Sequence, residues 1–349
     1  MSLMGDIIML ATSGEDYFYN KRPSSSVMTN FSKSLSLVED GPHDANLYNS
    51  TWSSSHNTSS GGPDEDSNSD FAIYIFMLSI CITGLVGNGI VIYLLGFHIK
   101  RSPFTTYILN LAVADFGFLL FGALTLSLEL TGEIYFWGVI IIAYFLIFTY
   151  TASQLLLTTI SIDRCVSVLF PIWHQCHRPR HLSTIVCALM WALSFLTSGS
   201  ITLSGLLGHF EAYWIFFSPF IAGSVVFFPL ITVSTTILLL KLFCKAQQPR
   251  SGKLLTIVLL TLLFYFIFAF PMNAIYTVNY FAGYKYVHLA IYADLCACLN
   301  SCVNPVICFL VGKKKMGQRS KSLKFLLQRA FQEEEEHREE CGTTALTSL

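Results

Sequence analysis

The chain has 349 residues, of which 53% are apolar, 14% aromatic and 12% charged, and its formal net charge is −1. Soluble globular proteins carry about a quarter charged residues, so a soluble fold of this composition could not cover its own surface with polar groups. The apolar residues fall in long blocks of the length that a helix needs to cross hydrocarbon, which is about twenty residues.

Residues 1–70 are rich in Ser, Asn, Asp and Gly, with ten acids against three bases. Such a segment cannot bury enough apolar surface to offset its chain entropy and is expected to be disordered. Three N-x-Ser/Thr sequons at Asn30, Asn49 and Asn57 mark it as a glycosylated extracellular tail. Asp6 interrupts the short apolar stretch near the start, so the first membrane helix is expected to direct its own translocation.

Seven apolar blocks follow, at 71–97, 105–128, 134–168, 182–207, 212–243, 254–281 and 286–311. At 1.5 Å per residue each can cross a core about 30 Å thick. The expected fold is therefore an all-α membrane protein, a seven-transmembrane helix bundle over residues 71–311. Lys and Arg set its orientation. Lys100, Arg101, Arg164, Arg178, Arg180, Lys241, Lys245, Arg250, Lys253 and the tail bases from Lys313 to Arg338 share one side. Only Lys21, Arg22, Lys33 and Lys285 face the other, which puts the N-terminus outside and the C-terminus in the cytosol.

Residues 312–331 alternate lysines with Met316, Leu323, Leu326, Leu327 and Phe331 near helical spacing. An amphipathic eighth helix on an anionic inner leaflet is expected there, followed by a cytoplasmic tail at 332–349. The ten cysteines lie in or at the ends of helices or on the cytosolic side, so no extracellular disulfide is expected. Cys341 in the tail could carry an acyl chain.

Ionisable residues inside the spans are few, and such residues usually face the bundle interior. Asp115 lies midway along span two, Asn88 along span one and Ser153 in span three. Asn300 and Asn304, four apart in span seven, share a face. This set can hold a small cation, with sodium the candidate, or keep a protonated carboxyl hydrogen-bonded; interhelical hydrogen bonding that specifies packing is the plainer reading. At the inner end of span three, Asp163-Arg164 is an acid–base pair that can break and reform, as a two-state switch requires, or a snorkelling anchor. Pro229, Pro271 and Pro305 supply kinks in spans five to seven. A transporter could use the same devices, but no internal repeat supports one. No catalytic cluster marks an intramembrane enzyme.

These motifs occur in register: Gly87-Asn88, Leu111-Ala112-x-x-Asp115, Asp163-Arg164-Cys165, Trp191, Pro229, Pro271 and Asn304-Pro305-x-x-Cys308. Together they resemble the rhodopsin class of G-protein-coupled receptors over about residues 71–331. The wording around Gly84–Gly89, Tyr93–Phe97, Tyr107–Phe116 and Ser161–Cys165 is similar to the Mas and Mas-related receptors. The resemblance implies a plasma-membrane receptor without enzyme activity. An extracellular ligand, a peptide or an amine, would act on it, and it would activate a heterotrimeric G protein of the q or i class. Asp163, Arg164, Asn304, Pro305 and Cys308 would serve coupling and switching. Arrestin and receptor kinases would meet the Ser/Thr-rich tail, and no nucleic-acid partner is expected.

Departures from the broad class are informative. Val139 stands where most members have the helix-three Cys, and Gly205–Tyr213 contains no Cys; Mas-related receptors also commonly lack this bridge. Ala269 replaces the usual Trp two residues before Pro271, which implies a different activation contact and a shallow ligand site. Cys308 replaces the usual Tyr of the helix-seven motif. Ile201 and Phe217 occupy the places where some relatives carry a ligand-catching acidic pair, and Leu146 the height of an amine-binding acid. Span seven has no Lys before Lys313, which excludes a retinal Schiff base within it.

For the ligand, Asp294 lies ten residues before Asn304, about 15 Å nearer the outside. With Asn273, Tyr276 and the loop residue Glu211 it forms a candidate site for a cationic peptide or amine. The alternative for Asp294 is a bond to a neighbouring helix, and for loop acids simple solvation. The terminal Thr347-Ser348-Leu349 is compatible with a scaffold domain that binds a C-terminal carboxylate.

Overall fold

The structure is a computed structural model that describes residues 65–99, 101–131, 136–170, 172, 174, 177–179, 181–206, 213–244, 259–260, 262–282 and 289–313. Its regular elements are all helical. α1 is Glu65–Phe97, α2 Pro103–Thr131, α3 Phe136–Leu169 and α4 Leu182–Leu206. α5 runs Tyr213–Ala222, passes through a π-helical turn at Gly223–Phe227 and continues as Phe228–Cys244. α6 is a π-helical turn at Tyr265–Ala269 followed by Phe270–Ala282, and α7 is Ala290–Lys313. All seven are long and apolar enough to cross a membrane. α7, with 24 residues, reaches about 36 Å at 1.5 Å per residue.

Each of the seven helices falls on one of the seven apolar blocks; α1 extends its block at the start, and residues 254–258 and 261 of the sixth block lie outside the described residues. α1 begins at Glu65, inside the segment expected to be disordered. Adding residues to an established helix costs far less than starting one, and Glu65, Asp66 and Asp70 suit the positive end of its dipole. The rest of residues 1–70, the eighth helix at 314–331, and the tail with Cys341 and Leu349 lie outside the described residues. So do the sequons at Asn30, Asn49 and Asn57.

Burial separates the helices that form the centre from those that face lipid. Over its most apolar stretch α3 is 61% buried and α7 likewise, against 22% for α4 and 28% for α1. Phe76, Val86, Phe195 and Leu196 are exposed on those outer helices, as expected of side chains solvated by hydrocarbon rather than water. Two apolar clusters fill the interior. One, with Leu94, Phe104, Tyr107, Leu157 and Leu262, lies toward the Arg164 end; the other, with Phe118, Leu146, Tyr150, Phe220 and Tyr276, lies toward the Asp294 end.

The expected kinks take specific forms. A proline cannot donate to the carbonyl four residues back, and its ring crowds that carbonyl. For Pro229 and Pro271 those carbonyls belong to Val225 and Ile267, and each falls within a π-helical turn. Widening the helix by one residue per turn relieves the clash. At Pro305 the helix stays regular, and the freed Ser301 carbonyl instead accepts Asn88 Nδ2 at 3.0 Å. Thus span one caps the broken hydrogen bond of span seven, as hydrocarbon requires of every backbone group. The close approach needs Gly84, where a Cβ would strike Cys302 Sγ and come within 2.6 Å of Leu119 Cδ1.

Candidate functional site

The polar residues of the spans gather into a layer between the two apolar clusters. Asp115 is fully buried. Its Oδ1 accepts the hydroxyls of Ser153 at 2.8 Å and Ser301 at 3.0 Å, and its Oδ2 accepts Asn304 Nδ2 at 2.7 Å. Asp115, Ser153 and Asn304 therefore meet as the sequence suggested. Ser301 joins them, a residue the sequence reading missed. Its signal was present, since it lies three before Asn304 and thus on the same helix face. Asn300 is buried and lines a small cavity beside Ser153, Gln154 and Ala269. Asn88 faces the Ser301 carbonyl rather than Asp115, so it belongs to the packing of α1 on α7. Asp115, Ser153 and Ser301 bring together a carboxyl and two hydroxyls, hard oxygens of the kind that suit sodium, while Asn304 turns its amide nitrogen toward Asp115.

At one end of the bundle the Asp163–Arg164 pair is closed. Arg164 donates to Asp163 Oδ2 at 2.6 Å, and its guanidinium stacks over Phe104 at 4.7 Å from the ring centre. A second base enters that the sequence reading counted only as a loop charge. Arg178 donates to Asp163 Oδ1 at 2.7 Å, with its own side chain 1% exposed. It also donates to Ser183 Oγ at 2.7 Å and Tyr107 Oη at 3.4 Å, and contacts the His174 ring. The backbone of α7 continues through Cys308, whose side chain lies outside the described residues.

Toward the other end, Tyr276 donates its hydroxyl to Asp294 Oδ1 at 2.9 Å, and both residues are buried. Aromatic rings surround the pair: Phe220 stacks on Tyr276 with centres 4.6 Å apart, and Phe217 meets Tyr280 at 5.3 Å. Leu146, Ile201 and Phe217 are buried members of the same apolar cluster. Asn273 is placed deeper than a ligand contact would need. It accepts Tyr150 Oη at 2.7 Å and presses against Gly223, where any Cβ would collide with its amide. Ala269 stands where the broad class has a Trp, and it lines the small cavity together with Tyr150, Ser153 and Asn300. Glu211 lies outside the described residues.

Comparison with known proteins supplies the family. The profile of the 7 transmembrane receptor (rhodopsin family) matches residues 87–307. The chain is 36% identical over 288 residues to proto-oncogene Mas of Rattus norvegicus, covering 79% of this chain and 89% of the relative. Mas-related G-protein coupled receptor member D of Rattus norvegicus is 36% identical over 293 residues, covering 78% and 90%. Mas-related G-protein coupled receptor member X1 of Mus musculus is 34% identical over 303 residues, covering 82% and 93%.

Proposed function

The chain belongs to the rhodopsin family of seven-transmembrane receptors, within its Mas-related group, and from that premise we propose that it is a plasma-membrane receptor for a cationic extracellular ligand, signalling through a heterotrimeric G protein. The N-terminus faces outside, as the basic residues imply. The ligand, a peptide or an amine, docks at the Asp294 end. It competes with the Tyr276 hydroxyl for Asp294 and adds the attraction of opposite full charges to the hydrogen bond. Phe217, Phe220 and Tyr280 offer aromatic faces to the same cation.

The observation that carries this reading is the pairing of Asp163 with Arg164 at the far end. A ligand that binds one arrangement of the helices better shifts the bundle toward it. The Asp163–Arg164 contact opens, and Arg164 turns to the G protein. Asp115 is the hinge layer between the ends, because α2, α3 and α7 all bond through it. Sodium held by Asp115, Ser153 and Ser301 would supply a positive charge that ties those helices together. Asn304 and Pro305 set the α7 face that this layer reads, and Cys308 continues it. Coupling to the q or i class, and later engagement of receptor kinases and arrestin, complete the cycle.

The test is nucleotide exchange on a panel of Gα subunits by the purified receptor, with and without basic peptides, comparing Asp294→Asn with the parent. Exchange stimulated in the parent, with potency lost in the variant, is the expected result. Substrate flux in proteoliposomes with no exchange on any Gα would point instead to a transporter or channel, which the family membership does not favour.

A further inference from the structure

Between Asp115 and Glu333 the acids are Glu129, Glu133, Asp163, Glu211 and Asp294. Of these, Asp163 and Asp294 have described side chains, and Asp163 is the one at the Arg164 end. Residues 212–293 contain no Asp or Glu at all, and α5 and α6 therefore have no anion for Arg164. Yet two arginines meet this single acid, Arg164 on Oδ2 and Arg178 on Oδ1. Asp163 is 11% exposed, and removing one partner of a buried pair strands the other charge.

The two arginines are held differently. Arg178 is fixed by Ser183 at the start of α4, Tyr107 on α2 and the His174 ring, besides Asp163. Arg164 lies on the helix whose end changes partners in the function proposed above. His174 Nε2 is 3.7 Å from Asp163 Oδ2, beyond a direct hydrogen bond, so Arg178 at 2.7 Å is the closer counter-charge.

We propose that Arg178 is the positioning residue that keeps Asp163 compensated when Arg164 leaves it, so that Arg164 is released toward a partner without stranding a buried carboxylate. The idea rests on the receptor reading only for the identity of that partner. Arg178 is thus a fixed counter-charge, and Arg164 the mobile one.

Thermal unfolding of the full chain in lipid nanodiscs tests this without any G protein, because Arg164→Ala imitates the departure of Arg164. Arg164→Ala alone should lower the melting temperature modestly, since Arg178 still faces Asp163. Arg164→Ala with Arg178→Ala should lower it by more than the two single shifts combined, and Asp163→Asn should erase the excess. Additive shifts, or an excess that survives Asp163→Asn, would overturn the proposal. Ligand-free exchange on purified G protein is the second reading. Arg178→Ala should reduce it at least fivefold, whereas Arg178→Lys and Arg178→Ala with Asp163→Asn should restore it. A rise in Arg178→Ala would make Arg178 a lock and overturn the proposal. Absence of exchange in the parent would sink the receptor reading and leave the melting result to decide.

Discussion

At the Arg164 end Asp163 meets two guanidinium groups at 2.6 and 2.7 Å, whereas toward the opposite end Asp294 accepts a phenol hydroxyl at 2.9 Å among stacked rings. The first acid is neutralised by charges of its own chain. The second accepts the Tyr276 hydroxyl, a bond for which an incoming cation would compete. Buried charges are costly unless paired, so the two ends are suited to different tasks. One stores a contact that opens; the other offers a carboxylate to an incoming group.

Breaking the first end should have the largest effect. Asp163→Ala leaves Arg164 and Arg178 without their shared anion, and removing one partner of a buried pair costs about 3–5 kcal/mol. Denaturation of the receptor in nanodiscs should show that loss, with Asp163→Asn losing less because its amide oxygen still accepts. A smaller loss is expected between the ends. Asn88→Ala strips the donor from the Ser301 carbonyl, and a buried acceptor without a partner costs about 1–3 kcal/mol. Asn88→Leu should not rescue it, since a side chain of similar size without a donor leaves the carbonyl unpaired.

The second end is sharpened by milder changes. Asp294→Asn should reduce the potency of basic peptides about tenfold, or about 1.4 kcal/mol, in the exchange assay. Unchanged potency would remove Asp294 from the ligand site. Tyr276→Phe deletes the phenol donor to Asp294 while keeping the ring on Phe220. It should cost about 1 kcal/mol of stability while leaving Asp294 freer for a cation. Its expected signature is a lower melting temperature with equal or higher peptide potency.

Sequence legibility differed between the ends for a physical reason. Asp163 and Arg164 are adjacent, so their pairing could be read directly; Arg178 is fourteen residues on, across the link between α3 and α4. Nothing in its local pattern distinguished it from the other cytosolic bases. Asn273 was read as a ligand contact from its height on α6, but Gly223 lets α5 approach so closely that Asn273 turns to Tyr150. A glycine's close approach has no address in the sequence until its neighbour is known.

The count of seven spans was settled by the sequence, because a hydrocarbon core about 30 Å thick demands long apolar helices whatever they pack against. Asp115 was also legible as a buried polar centre, since ionisable residues within spans are rare and turn inward. Only the tertiary structure decided which polar residues touch. It put Ser301 on Asp115, sent Asn88 to the carbonyl freed by Pro305, and gave Asp163 a second arginine. Those choices depend on helix rotation and separation, which arise from packing between elements distant in the chain.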